Sequence, residues 1–527
     1  MTKYNKQLTD SKKGITSSKL IILVSAFLMV FGNITFFSNV LDVYPLNLQN
    51  SLFLLSLFIV FIFAYIILLS LVCYKYTIKP ILILIVLISS LSAYFMDTYH
   101  IVIDDLMIDN IIKTDIQESL DLFSVKQILY FIILGILPSI FIYRINISYY
   151  SIKKSIFSRV KLLGFSFVVI ITLIFIFGSF YASFIREHKP LRYYANPGYY
   201  LYSAGKYIGN FIKNEDVPLK IIGLDSKIVP SNDIRKLIIF VVGESVRADH
   251  FSLNGYKKNT NFYLEKEDVI SFKKVSACGT STAYSVPCIF SIYNHSNYSK
   301  SKAEKTENVL DILQRDGINV IWLDNNSDSK GVADRIPYIS YKSSTNNSVC
   351  DTECRDEGML VSVQNYINTH QTGDIFIVLH QMGNHGPDYY KRYPVQFEKF
   401  TPVCKTNQLE QCTREEISNA YDNTILYTDY FLAKTIDLLK RNNENLMSTL
   451  FYVSDHGESL GENNIYLHGL PYLFAPETQT HVPLIMWFSK SFKEAGFNLE
   501  KLKTKTNIKF SHDNIFHTIL GLMEVKT

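Results

Sequence analysis

What this 527-residue chain lacks narrows its reading first. No basic stripe with interleaved aromatics runs through it and the net charge is only +4, so nothing points to a nucleic-acid partner. No internal repeat or low-complexity tract appears, which sets aside solenoid and tail-like architectures. The seven cysteines form no pair of CxxC knuckles, which argues against zinc held by thiolates. Charge is also absent from five stretches: Leu20 to Leu41, Val43 to Tyr74, Pro80 to Met96, Gln127 to Tyr143 and Leu162 to Ile185.

Each of these stretches is long enough, or nearly so, to cross a hydrocarbon core about 30 Å thick as a helix of roughly 20 residues. Five transmembrane helices are therefore expected within residues 1–185, the third and fourth being the shortest. Lys3, Lys6, Lys12, Lys13 and Lys19 precede the first, Lys75 and Lys79 lie between the second and third, and Arg144, Lys153, Lys154, Arg159 and Lys161 lie between the fourth and fifth. The opposite loops carry Asp42 and a mostly acidic segment from Asp97 to Lys126. Positive loops stay inside, so the N-terminus is cytoplasmic and everything beyond Ile185 is exported. The first helix lacks a clear small-residue cleavage site and is followed by more spans, so it is read as retained.

Cysteine usage tests that topology independently. Cys73 lies in the second helix, while the other six fall as near neighbours in the exported part: Cys278 with Cys288, Cys350 with Cys354, Cys404 with Cys412. Three short-range disulfides are the economical pairing in an oxidising compartment, with a periplasm as the expected setting. Residues 186–217 are rich in Tyr interspersed with Lys and Arg, a composition suited to the membrane interface, and read as a linker lying on the bilayer.

From residue 218 to 527 short β-branched runs alternate with longer amphipathic ones. KLIIFVVGES (236–245), INVIWLDNN (318–326), DIFIVLHQM (374–382), STLFYVSDHG (448–457) and HVPLIMWFS (481–489) read as buried parallel strands. NVLDILQRDG, DEGMLVSVQNYINTH and the run from Ser418 to Arg441 read as helices. The expected fold is a doubly wound α/β domain, whose ligands gather at the carboxyl ends of strands. Polar clusters sit there: Glu244, Asn325 to Lys330, His385, and Asp455 with His456.

Glu244, Asp455 and His456 supply oxygen and imidazole ligands suited to zinc, and a catalytic zinc site keeps one position for a reacting group. Thr282, inside CGTSTAYSVPC, is the candidate for that position, because a divalent cation stabilises an alkoxide that is otherwise scarce at neutral pH. A staple from Cys278 to Cys288 would hold it rigid, with N–H groups of a following helix available to a phosphoryl oxygen. His385 and His468 are candidates to bind the transferred phosphate, protonate a leaving oxygen or hold a second metal ion. Lys330 offers a cation for phosphate, with Ser327 beside it. His380, His481, His512 and His517 are read as structural.

The motifs VVGES, LNGY, CGTSTAYSVPC, DNNSDSKG, LHQMGNHGP, KFTPVC, SDHGESLGENNIYLHG and SHDNIFHTILGL resemble those of the membrane-bound phosphoethanolamine transferases that modify lipid A, including the mobile colistin-resistance enzymes, within the alkaline phosphatase/sulfatase superfamily. The likeness covers essentially the whole chain. It implies that Thr282 is the nucleophile carrying a phosphoethanolamine intermediate, that Glu244, Asp455 and His456 bind zinc with it, and that His385 and His468 contact phosphate or further zinc. It implies the same three disulfides, a bacterial inner-membrane location, phosphatidylethanolamine as donor and a lipid A phosphate as acceptor. A monomer is expected.

In MIDNIIKTDIQESL, Asn110, Thr114 and Glu118 at i, i+4 and i+8 make one helical stripe on the exported side. The resemblance turns that stripe from a solvated face toward substrate contact, Glu118 for an ethanolamine ammonium, Asn110 and Thr114 for phosphate. The competing functions are a transferase with a core-sugar, glycan or protein acceptor, a related phosphodiesterase or sulfatase using water, and a receptor that merely retains the fold.

Overall fold

A charge-free run can satisfy its backbone inside a bilayer only by coiling, and the computed structural model shows that outcome. It describes residues 14–113, 119, 122–149, 151–186, 188–214, 218–442 and 446–527. Four helices are long and apolar enough to cross a membrane: Ser51–Val72, Ile78–Tyr99, Val125–Arg144 and Ile152–Ile176. The first charge-free run differs from a single straight span. It forms Ser17–Phe31 and Ile34–Val43, bent by 59° at the break, and makes a fifth crossing if the bent pair counts as one span. Side chains such as Phe175, 88 % exposed on the last of these helices, need lipid around them.

The break at Gly32 and Asn33 would strand backbone carbonyls in an apolar setting, and two asparagines satisfy them. Asn33 Nδ2 donates to the carbonyls of Leu28 (2.9 Å) and Asn196 (2.6 Å). Asn196 answers through its backbone N–H to Asn33 Oδ1 (2.9 Å) and through Nδ2 to the carbonyls of Gly32 (3.0 Å) and Ser89 (2.9 Å). Tyr65 adds a hydrogen bond to the Asn196 carbonyl at 3.0 Å.

The described residues fall into two compact units, one holding those up to Ile108 with Phe123–Tyr207, the other Asp109–Leu122 with Ile208–Thr527. The second is built on an eight-stranded sheet. Its strands in chain order are β1 (Arg235–Gly243), β2 (Ile270–Ser276), β3 (Asn319–Asp324), β4 (Tyr338–Ser340), β5 (Ile375–His380), β6 (Leu446–Ser454), β7 (His481–Phe488) and β8 (Phe510–Ser511). Across the sheet they run β8-β2-β7-β6-β1-β5-β3-β4.

The five strands from β6 to β4 are mutually parallel. β1 lies in the middle with Leu237 to Val242 fully buried, the uninterrupted apolar run that a strand covered on both faces requires. On one face Ile238, Phe240 and Val242 join a core with Val286, Ile289 and Phe290 of the segment around the Thr282–Ile289 helix and with the Val309–Arg315 and Ile515–Leu522 helices. The long Arg414–Arg441 helix packs on β6 and opens with a capping box between Thr413 and Glu416.

One strand assignment is corrected. β7 runs antiparallel to both neighbours, β6 and β2, although its sequence reads as a parallel strand. A continuous apolar run reports burial on both faces and carries no information about direction. Disulfides join Cys278 to Cys288, Cys350 to Cys354 and Cys404 to Cys412, and Cys73 is free and buried.

Replacing Asn33 by Leu takes one of two donors from each of the Leu28 and Asn196 carbonyls and leaves the buried Asn196 N–H without its acceptor. It is expected to destabilise the protein by about 1–3 kcal/mol. Thermal unfolding of the full chain in detergent reads this as a lowered midpoint, and an unchanged midpoint would remove the clasp from the account.

Candidate active site

Parallel pairing brings the acidic groups together. β1 and β6 are in register with Gly243 opposite Ser454, so the residues that follow, Glu244 and Asp455, leave the sheet side by side. The Asp455 N–H donates to the Gly243 carbonyl (2.9 Å), and the Ser245 N–H donates to Asp455 Oδ1 (3.1 Å). Ser245 takes a left-handed backbone, φ 58°, and this sharp turn points Glu244 back toward Asp455. Tyr421 braces the turn by donating to the Ser245 carbonyl at 2.6 Å and accepting from the Arg247 N–H at 2.9 Å. Gly383, at φ 50°, lies so close that a Cβ there would meet the Glu244 backbone and Cβ at 3.0–3.1 Å.

Glu244, Asp455 and His456 have no solvent exposure, and one ligand atom of each lies within 4.8 Å of the others. His456 Nδ1 faces the Gly457 carbonyl at 2.9 Å. A carbonyl can only accept, so Nδ1 carries the proton and Nε2 turns its lone pair on the two acids, 3.5 Å from Glu244 Oε1 and 3.3 Å from Asp455 Oδ2. Asp455 Oδ2 is buried and accepts no hydrogen bond. Burial raises the Glu244 carboxyl, but His456, His385 and His468, when protonated, outweigh it and hold it below the ordinary carboxylate range. Burial and the nearby Glu244 charge push Asp455 well above that range. Two buried acids, an orphaned oxygen and an imidazole lone pair make a donor set that fits a divalent cation.

Thr282 completes the group. It opens the Thr282–Ile289 helix after Ser281 as N-cap, and the Cys278–Cys288 disulfide closes across it. Its Oγ1 donates to Glu244 Oε2 at 3.0 Å and lies 3.3 Å from His456 Nε2. The same turn is tied to the His468 loop, because Thr280 Oγ1 donates to the Leu470 carbonyl (2.6 Å) and the Gly469 N–H donates to the Thr280 carbonyl (2.8 Å).

The remaining sequence candidates divide. His468 lies against His456 with ring centres 4.3 Å apart, and His385 lies 5.7 Å from His468, so three imidazoles gather beside the acids. His468 Nδ1 is 3.3 Å from the fully buried Glu458. Lys330 and Ser327 are joined to each other, Nζ donating to Oγ at 2.7 Å. Their loop reaches the acids through Asn326, a member of the Asn325 to Lys330 cluster to which the sequence assigns no separate role. Asn326 Nδ2 donates to Glu244 Oε2 (2.9 Å) and to the Gln381 carbonyl (2.7 Å). Ser245 Oγ holds the other Glu244 oxygen at 2.6 Å. Asn110 lies in the Asp105–Lys113 helix, whose Asp109 pairs with Lys300. Thr114 and Glu118 lie outside the described residues. His380, read as structural, is buried against Asp324 at 3.0 Å.

A doubly wound sheet ending in buried acids, an imidazole and a hydroxyl defines the alkaline phosphatase/sulfatase class, and the Sulfatase family profile matches residues 236–525. A second profile, Phosphoethanolamine transferase EptA/EptB, matches residues 61–211. The phosphatidylethanolamine transferase Mcr-2 of Escherichia coli is 43 % identical over 96 % of this chain and 95 % of its own length. The phosphoethanolamine transferase EptA of Escherichia coli K12 is 39 % identical over 96 % and 94 %. The integral membrane lipooligosaccharide phosphoethanolamine transferase A of Neisseria meningitidis superposes with a TM-score of 0.94 at 34 % identity, covering 97 % of this chain and 96 % of that one. The chain belongs to the membrane-bound phosphoethanolamine transferase family. It is a multi-pass membrane protein with its C-terminal domain in the periplasm.

Asn326→Ala removes a hydrogen bond that orients Glu244 and leaves all three candidate ligands in place. Zinc affinity of the purified protein, read by chelator competition, is expected to fall by about 10–100-fold. An unaltered affinity would show that Asn326 does not orient the acid.

Proposed function

We propose that this protein moves phosphoethanolamine from phosphatidylethanolamine to a phosphate of lipid A in two steps, with Thr282 as the covalent carrier. The observation that carries the reading is the Thr282 hydroxyl lying 3.0 Å from Glu244 and 3.3 Å from His456 at a buried site. Zinc held by Glu244, Asp455 and His456 would supply Lewis acidity and positive charge there, lowering the cost of ionising a hydroxyl.

The chain's own groups set the geometry of each step. Thr282 already shares its proton with Glu244 Oε2, which fixes the direction in which that proton leaves. In the first step a bond forms from Thr282 Oγ1 to phosphorus while the bond from phosphorus to the glycerol oxygen breaks. The departing diacylglycerol oxygen takes a proton, a role that the neighbouring imidazoles of His385 and His468 suit. In the second step an oxygen of the lipid A phosphate attacks the same phosphorus, the bond to Oγ1 breaks, Thr282 recovers its proton, and the imidazole regains its own from the hydroxyl of the attacking phosphate. Lys330 and Ser327 act as donors to phosphate. Asn110, Thr114 and Glu118 are assigned to the headgroup on resemblance alone.

Both substrates are lipids, which explains an active domain carried on membrane helices. The product gains an ethanolamine ammonium, so the lipid A surface attracts cationic peptides such as polymyxins less strongly.

The test is mass spectrometry of lipid A from cells expressing the chain or its Thr282→Ala variant, with polymyxin susceptibility measured in parallel. The expected result is a phosphoethanolamine-bearing lipid A and raised resistance with the unaltered chain. Thr282→Ala should lower transfer by more than about 10³-fold. Free phosphoethanolamine without modified lipid A would assign water as the acceptor. Modification of another glycan or protein would overturn the acceptor and keep the chemistry.

A further inference from the structure

The motif SHDN, residues 511–514, is absorbed by none of the chemistry above, yet its His512 is buried beside the site. Ser511 and Asn514 close a capping box on each other, which presents His512 and Asp513 as a rigid pair. The Cys278 N–H donates to His512 Nδ1 at 3.1 Å. On the other side of the ring His512 Nε2 lies 3.0 Å from the Ser454 carbonyl. An N–H can only donate and a carbonyl can only accept, so the ring must be neutral with its proton on Nε2. Burial lowers its pKa to about 3, which keeps it so. Asp513 holds the same turn from the other side. Its Oδ1 accepts from the His295 N–H (2.7 Å), and His295 Nδ1 donates to the Cys278 carbonyl (2.7 Å).

Cys278 begins the stapled turn that carries Thr282, and Ser454 ends the strand that carries Asp455 and His456. We propose that His512 is a positioning residue whose imidazole, bonded at both ends, fixes the separation between the Thr282 turn and the strand end bearing Asp455 and His456. The sheet sets Glu244 against Asp455 on neighbouring strands, but the Thr282 turn leaves it from β2, which β7 separates from β6, and His512 links the two ends across that gap. The inference rests on the proposed role of Thr282 and the cation site.

Two variants each keep one link. His512→Asn reaches only as far as Nδ1 and keeps the Cys278 bond, whereas His512→Gln reaches the Ser454 carbonyl and loses Cys278. Met447→Ala, buried at the opposite end of the same strand, serves as a control for lost stability without a change at the site. Full-length proteins in detergent are compared for thermal midpoint, zinc affinity by chelator competition, and kcat and KM toward phosphatidylethanolamine. The expected result is a loss of at least tenfold in zinc affinity and in kcat for both His512 variants with KM held, and no loss of zinc affinity for Met447→Ala at a similar midpoint. His512 variants that lose no more than the control would overturn the proposal. Should neither His512 variant fold, long-range nitrogen NMR of the histidine-labelled wild type decides, since a charged ring or an Nδ1–H tautomer excludes the two-ended spacer. If the unaltered protein itself neither binds zinc nor turns over donor, the functional reading fails instead.

Discussion

Glu244 and Asp455 are two acids without access to water, set side by side because β1 and β6 are parallel and in register. Transferring carboxylates out of water costs several kcal/mol each unless charge and hydrogen bonds compensate. Here compensation is partial: Ser245 and Asn326 serve Glu244, while one oxygen of Asp455 has no donor. The rest of the exported domain is arranged around this unresolved demand. The all-apolar interior of β1 supplies favourable burial beneath it, the left-handed Ser245 aims the acid, and Gly383 leaves room for it.

Hydrogen-bond direction adds what distance alone does not. His456 commits its Nδ1 proton to a backbone carbonyl and so turns a lone pair toward the acids. Thr282 spends its hydroxyl proton on Glu244. Every group at the centre therefore presents electron density inward, an arrangement that water would not select and a divalent cation would. The stapled turn and the imidazoles of His468 and His385 stand around that centre.

Much of this was legible in the sequence, and the reasons differ by element. Uninterrupted apolar runs announced strands buried on both faces, and polar residues just after them announced the site, because parallel sheets place ligands there. Neighbouring cysteines announced the three staples. Direction was not legible for β7, since burial and antiparallel pairing leave the same apolar signature. Asn326 sat in NNSDSKG among polar residues that look alike until folding brings one of them to Glu244. The partnership of Asn33 with Asn196 spans 163 residues and satisfies a helix break that no local pattern marks. The reading of His512 as structural carried no hint of its two partners, because Cys278 and Ser454 come from distant segments.

The most direct test of the account is peptide mass spectrometry of the full-length protein after incubation with zinc and phosphatidylethanolamine, followed by acid quench. The account predicts a phosphoethanolamine ester on the peptide spanning residues 277–291, placed on Thr282 and absent from Thr282→Ala. Consumption of donor with release of diacylglycerol and no ester on that peptide would contradict it, and would shift the attack on phosphorus to water or to the acceptor itself.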